Sequence, residues 1–189
     1  MFEHFLFLFR LFLAFLMFIE NSPSNTPEAR IRHIEFSIRD SQFEIGVVTD
    51  IEGHELFRIA GTPTSVVIPK ALEAQTRNQI FTHNHLRGTI PDFSAQDIQM
   101  ASYLNLYQIR MVTVDDETGK TILCKASRGD HQYWPFIYDL PERTQVEMHS
   151  AYAKLSGGSD YRRATQAVHG VWEVIFAKWQ LKYSCAPLN

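Results

Sequence analysis

The spacing of apolar residues divides the chain into stretches of different character. From Phe5 to Ile19 the residues are Phe, Leu, Met and Ile, broken only by Arg10 and Ala14. Residues 21–30, NSPSNTPEAR, lose that pattern and read as a polar, proline-bearing linker. Short stretches rich in β-branched and aromatic residues then predict strands: HIEFSIRD from His33, FEIGVVTD from Phe43, ELFRIAG from Glu55 and SVVIPK from Ser65. Asp50 to Gly53 reads as a hairpin turn between two of them. ALEAQTRN predicts a short helix that feeds a strand, QIFTHNH. From Ser94, SAQDIQMASYLNLYQ carries Ile98, Ala101 and Leu104 at helical spacing. IRMVTVD and TILCKA predict a β pair about the turn DETG. The carboxyl third reads as helical: PERTQVEMHSAYAKL, then, after SGGSD, the long YRRATQAVHGVWEVIFAKWQLKY. There Trp172, Phe176, Trp179 and Tyr183 form one stripe, a packing face. The order predicts an α/β (mixed α+β) fold, one domain in which helices pack around a sheet. Its parts are an apolar leader over 1–20, a linker over 21–31 and the domain over 32–189.

The leader changes the picture of location. A central Arg10 costs about 2.5–3.5 kcal/mol on insertion, and each apolar neighbour returns about 0.3–0.6 kcal/mol. Insertion is therefore favourable, although the run falls short of the ~20 residues of a full span. It lacks the basic start and the small-residue cleavage site of a secretory signal. The expectation is membrane association or export through residues 5–19. The blander alternative is a cytoplasmic chain, with a buried helix there or a true start at Met17.

A net charge of -3 gives no electrostatic case for nucleic acid or an acidic membrane surface. Arg162, Arg163, Lys178 and Lys182 form no basic stripe. Two cysteines, Cys124 and Cys185, are too few for a disulfide framework and make no C-x-x-C pair, so free thiols are expected. The RGD at 128–130 reads as a solvated turn. His131, His149 and His169 lack partners at ligand spacing.

Chemistry concentrates in IFTHNHLRGTIPDFSAQD, residues 80–97. On a strand, residues i and i+2 share a face, so His83 and His85 present imidazoles side by side. Asp97, in the first turn of the following helix, supplies a third ligand if the loop folds back. Two histidines, an aspartate and one open position make a catalytic zinc pattern. Ser94 and Asp97 also have a plainer reading, a capping-box helix start with an acid at the positive end of the helix dipole.

T-H-N-H, a Gly/Pro loop and S-x-x-D together resemble the JAMM (MPN+, or JAB-domain) metallopeptidase motif, H-x-H followed by S-x-x-D. THNH is closest to prokaryotic, phage-associated and RadC-like members, and GTPTSVVIP upstream is similar to the same branch. The resemblance covers about residues 42–126, with a weaker likeness of HGVWEVIFAKWQLKY to the tails of phage-associated relatives. Two positions depart from the pattern. Leu86 stands where the family usually has Pro, and the loop from His85 to Ser94 is one residue longer.

The resemblance implies a curved sheet flanked by helices and a zinc ion on His83, His85 and Asp97. It also implies a catalytic glutamate on an earlier strand, with Glu35, Glu44, Glu52 and Glu55 as candidates. Glu44, with the DIEG turn following, matches the family's acidic residue before its first hairpin, and an inward Glu between Phe43 and Ile45 is costly unless paired or used. The implied roles are general base and then acid for Glu44, and oxyanion donor for Ser94. The implied substrate is a peptide or a ubiquitin-like conjugate. A catalytically inactive scaffold or phage-type structural module is the alternative, and a RadC-like DNA-associated protein a further one, against which the acidic balance counts.

Overall fold

A mixed, open six-stranded sheet organises the chain, seen in a computed structural model that describes residues 25–135 and 161–188. The elements are α1 (Pro27–Ile38), β1 (Ile45–Thr49), β2 (Glu55–Ala60), a 3-10 turn (Lys70–Leu72) running into α2 (Glu73–Thr76), β3 (Ile80–Asn84), α3 (Ala95–Tyr103), β4 (Gln108–Val114), β5 (Thr121–Ser127), α4 (Tyr161–Lys178) and β6 (Lys182–Pro187). The strand order is β2-β1-β3-β4-β5-β6. Only β3 and β4 run parallel, and the crossover between them carries α3 and the loop that follows the two histidines. The expected α/β fold, one domain with helices flanking a sheet, is the one observed.

The two faces bury different layers. On one, Ile34 and Ile38 of α1 meet Val47 and Val112. On the other, Phe81, Ile109 and Met111 pack beneath Ile98 and Ala101 of α3 and Val168, Trp172 and Phe176 of α4. β3 lies between both layers, and all five of its residues are buried.

Several expectations need correction. HIEFSIRD is not a strand but the body of α1, which cuts the linker short at Thr26. Thr26 caps that helix by accepting from Ala29 N–H, Pro27 follows at the first turn, and Ile31, Ile34, Glu35 and Ile38 line its buried face at helical spacing. Periodicity overrides the β propensity of the individual residues. SVVIPK joins no ladder: β1 pairs with β2 and β3, and residues 65–69 lie outside the sheet. The last helix stops at Lys178: Gln180 takes a left-handed conformation (φ 55) and Leu181 N–H bonds back to Phe176 C=O, a Schellman-type stop made without glycine. Tyr183 therefore lies on β6, not on the helical stripe.

Cys124 and Cys185 are not free. They stand directly opposite each other on β5 and β6 and are joined as a disulfide. The expectations for residues 1–20 and for the helix PERTQVEMHSAYAKL fall outside the described residues, as does His149. Among the described residues, no helix is long and apolar enough to cross a membrane.

Candidate metal centre

β3 places Phe81, His83 and His85 on one face by strand alternation. His83 is fully buried and stacks on the Phe81 ring at 5.4 Å. His85 lies one residue beyond the strand, still held by β4: its N–H bonds Val112 C=O at 3.0 Å, and its C=O accepts from Thr113 Oγ1 at 3.0 Å. The two Nε2 atoms face each other 3.2 Å apart.

The plain reading of Ser94 and Asp97 is present in full. Ser94 Oγ accepts from Asp97 N–H at 3.2 Å, and Asp97 Oδ2 accepts from Ser94 N–H at 2.7 Å, a complete capping box for α3. The Ser94 hydroxyl donates to the same Oδ2 at 2.7 Å. The cap nevertheless turns the carboxylate toward the histidines. Asp97 Oδ1 lies 3.2 Å from His83 Nε2, and Oδ2 lies 3.4 Å from His85 Nε2.

These separations test a metal directly. Zinc bonds of 2.0–2.1 Å in a tetrahedron set ligand atoms about 3.3–3.4 Å apart. The three groups come near that spacing, His83 facing Oδ1 of Asp97 and His85 facing Oδ2, and their N₂O donor set suits zinc. The Nδ1 of His83 is buried without a partner, so this imidazole has all its close polar neighbours on the Nε2 side. The residues fit the ion.

Electrostatics follow from the crowding. Burial alone would raise the Asp97 pKa, but the two imidazoles beside it hold the carboxyl well below its ordinary value. Burial likewise opposes charge on His85, and the Asp97 and Glu44 carboxylates overcome it, raising its pKa.

Glu44 stands just before β1, nearly buried, and lines a cavity of about 560 Å³ with His85, Ser94 and Asp97. Burial pushes its carboxyl pKa up, against the pull of His85 and His83. Its backbone is locked from both sides. Glu44 N–H bonds Thr62 C=O and Glu44 C=O accepts from Gly61 N–H, both at 2.8 Å. On the other flank the Asn84 carboxamide takes the place of a strand: Oδ1 accepts from Ile45 N–H at 2.7 Å and Nδ2 donates to Phe43 C=O at 3.1 Å.

The chain matches no family model, no curated protein and no solved structure.

All five residues singled out from the sequence thus meet at one end of β3. The rival glutamates do not. Glu35 is buried on the opposite face against Arg110, Glu55 pairs with Arg58, and Glu52 sits in the β1–β2 turn, where its carbonyl binds Arg30. Sequence reasoning missed Asn84, whose only signal is a carboxamide at the end of a buried strand. It also left His169 without a role. His169 Nδ1 lies 3.2 Å from Asp92 Oδ2 and 2.8 Å from the Tyr183 hydroxyl.

Proposed function

We propose that this protein is a zinc-dependent hydrolase of amide bonds of the JAMM type, acting on a peptide or on the tail of a ubiquitin-like conjugate. One observation carries the reading: two imidazole Nε2 atoms 3.2 Å apart meet the Asp97 carboxylate, Oδ1 at 3.2 Å from His83 and Oδ2 at 3.4 Å from His85, beside a cavity that also holds a buried carboxylate, Glu44. A donor set of two imidazoles and a carboxylate also serves ferrous oxygenases. The buried Glu44 favours hydrolysis, which needs a base near the attacking water.

His83, His85 and Asp97 would hold the zinc, which when bound would supply positive charge to acidify water and polarise an amide carbonyl. Glu44, with a proton affinity lifted by burial, takes the proton of the attacking water and passes it to the departing amine nitrogen. The locked backbone around Glu44 fixes where that proton is collected. Ser94 steadies Asp97, and serves as oxyanion donor when its hydroxyl turns from that carboxylate. A silent scaffold of the same fold is the second reading. It is favoured by that same hydroxyl, whose one proton goes to Asp97.

The test is metal content of the full-length chain beside the His85→Ala variant, followed by peptide and isopeptide substrates. About one zinc in the parent, little in the variant, and chelator-sensitive cleavage is the expected result. No zinc in a folded parent overturns the metal reading. Zinc without cleavage of either substrate class favours the scaffold, and iron in place of zinc favours oxygenase chemistry.

A further inference from the structure

The loop over 86–93 joins two ligands, His85 and the Ser94–Asp97 cap, yet Ile90, Asp92 and Phe93 in it are almost wholly buried. Its side-chain anchors come largely from the carboxyl-terminal elements. Tyr183 of β6 donates its hydroxyl to Asp92 Oδ2 at 2.6 Å, and Trp172 Nε1 of α4 donates to Phe93 C=O at 2.8 Å. Asp92 Oδ1 accepts from Phe93 N–H at 2.7 Å, which sets the backbone immediately before Ser94.

We propose, resting on the zinc reading, that Asp92, held by Tyr183 and His169, is a positioning residue for the metal site, fixing where Asp97 stands. The bonds run in one path from β6 to the ligands. Tyr183 gives its one hydroxyl proton to Asp92, so the phenol oxygen accepts in turn from His169 Nδ1–H. Asp92 holds Phe93, the next residue is Ser94, and Ser94 gives both N–H and O–H to Asp97. A carboxylate is a costly choice for a buried loop that needs only packing. It is a good choice where one rigid group must fix both the next peptide and a distant strand. A metal site holds its distances to within about 0.2 Å, so a small drift of the cap separates Asp97 from the histidines.

The experiment is cobalt(II) binding to the metal-free, full-length chain, read by ligand-field absorption and by competition with a chelator. The variants are Asp92→Asn and Tyr183→Phe, the second of which keeps the ring stack on Phe176. Val168→Ala, a core truncation in α4 that touches none of these bonds, is the structural control. Both positioning variants are expected to bind cobalt about 10–100-fold more weakly, with reduced absorption intensity in the folded protein. The pair combined is expected to lose little more than either alone, since both act on one path. Val168→Ala is expected to lower the unfolding midpoint and leave cobalt affinity unchanged. Parent-like affinity in Asp92→Asn and Tyr183→Phe overturns the proposal while leaving the metal reading intact, and so does an equal loss in Val168→Ala. A folded parent that takes up no cobalt overturns both together.

Discussion

Arg110→Met tests the brace that seats α1 against the sheet beside β3. Arg110 is 1% exposed on β4, and its Nε donates to Glu35 Oε1 at 2.6 Å. Its Nη1 and Nη2 grip the Glu28 carboxylate at 2.9 and 3.0 Å. Glu35 is fully buried, and its Oε2 has no partner. Burial raises the Glu35 pKa, and Arg110 is the main opposing pull. Removing Arg110 leaves a carboxylate that is cheaper to protonate than to keep charged. From an unfolded pKa of 4.5, full protonation costs about 3.4 kcal/mol at pH 7 and about 0.7 kcal/mol at pH 5. The wild type already carries part of that cost, so these are ceilings. The lost Glu28 contacts add about 0–1 kcal/mol, since that side chain is nearly half exposed.

The sign follows from proton counting. A raised folded pKa means the native state binds more protons than the unfolded state above pH 4.5, so stability falls as pH rises through that window. Glu28 does not confuse the reading. Its Arg110 hydrogen bond lowers its pKa to about 2, so its contribution is lost only as pH falls below 4.5. Urea unfolding at pH 5, 6 and 7 is expected to show a loss of up to about 3–4 kcal/mol at pH 7 that shrinks to at most about 1–1.5 kcal/mol at pH 5. Glu35→Leu added to Arg110→Met should restore most of it, because apolar replacement of a buried ion pair is near neutral. An equal loss at every pH, or a double variant no better than the single, refutes the reasoning.

Glu44→Gln should retain zinc and lose about 10²–10⁴-fold in amide hydrolysis; undiminished turnover would remove Glu44 from the reaction. Gly46→Ala places a Cβ 2.6 Å from Phe81 Cε2, in the ring that backs His83. It should cost about 1–3 kcal/mol in urea unfolding and weaken metal binding, whereas parent-like values would show that Phe81 yields freely. Cys124→Ser with Cys185→Ser removes a bridge spanning 61 residues. The expected loss is about 2–4 kcal/mol in non-reducing urea unfolding, and it should vanish when the parent is measured under reductant.

The legible parts of the sequence were those set by local periodicity. Strand alternation put His83 and His85 on one face, and the Ser94/Asp97 spacing announced the cap of α3. Glu44 was readable as an inward residue between two apolar neighbours, but its meeting with the histidines rested on resemblance. The misreadings share a physical origin in partners distant along the chain. SVVIPK has the composition of a strand but pairs with neither edge of the sheet. Cys185 meets Cys124 only because β6 returns beside β5. The stop after Lys178 uses a left-handed Gln180, a conformation that composition does not mark. For α1 the information was local: Thr26, Pro27 and the 31–34–35–38 spacing outweigh the β-branched residues between them.

Helix cap and candidate metal ligand, alternatives when only the sequence is considered, are compatible in the fold. The cap consumes Asp97 Oδ2, which accepts from Ser94 N–H and O–H, and leaves Oδ1 facing His83. A carboxylate fixed in this way has lost its rotamer freedom before a cation arrives, and ordering it no longer opposes binding. The first turn of α3 also favours the anion, in the same sense as the histidines that lower its pKa. Capping alone accounts for Ser94 and Asp97, but it gives no reason to bury two imidazoles with their Nε2 atoms 3.2 Å apart. The two Nε2 atoms crowd each other and the same Asp97 carboxylate, and His83 leaves its Nδ1 unpaired in the core. On the proposed zinc reading, a cation between the two rings and the Asp97 carboxylate would satisfy the facing lone pairs together.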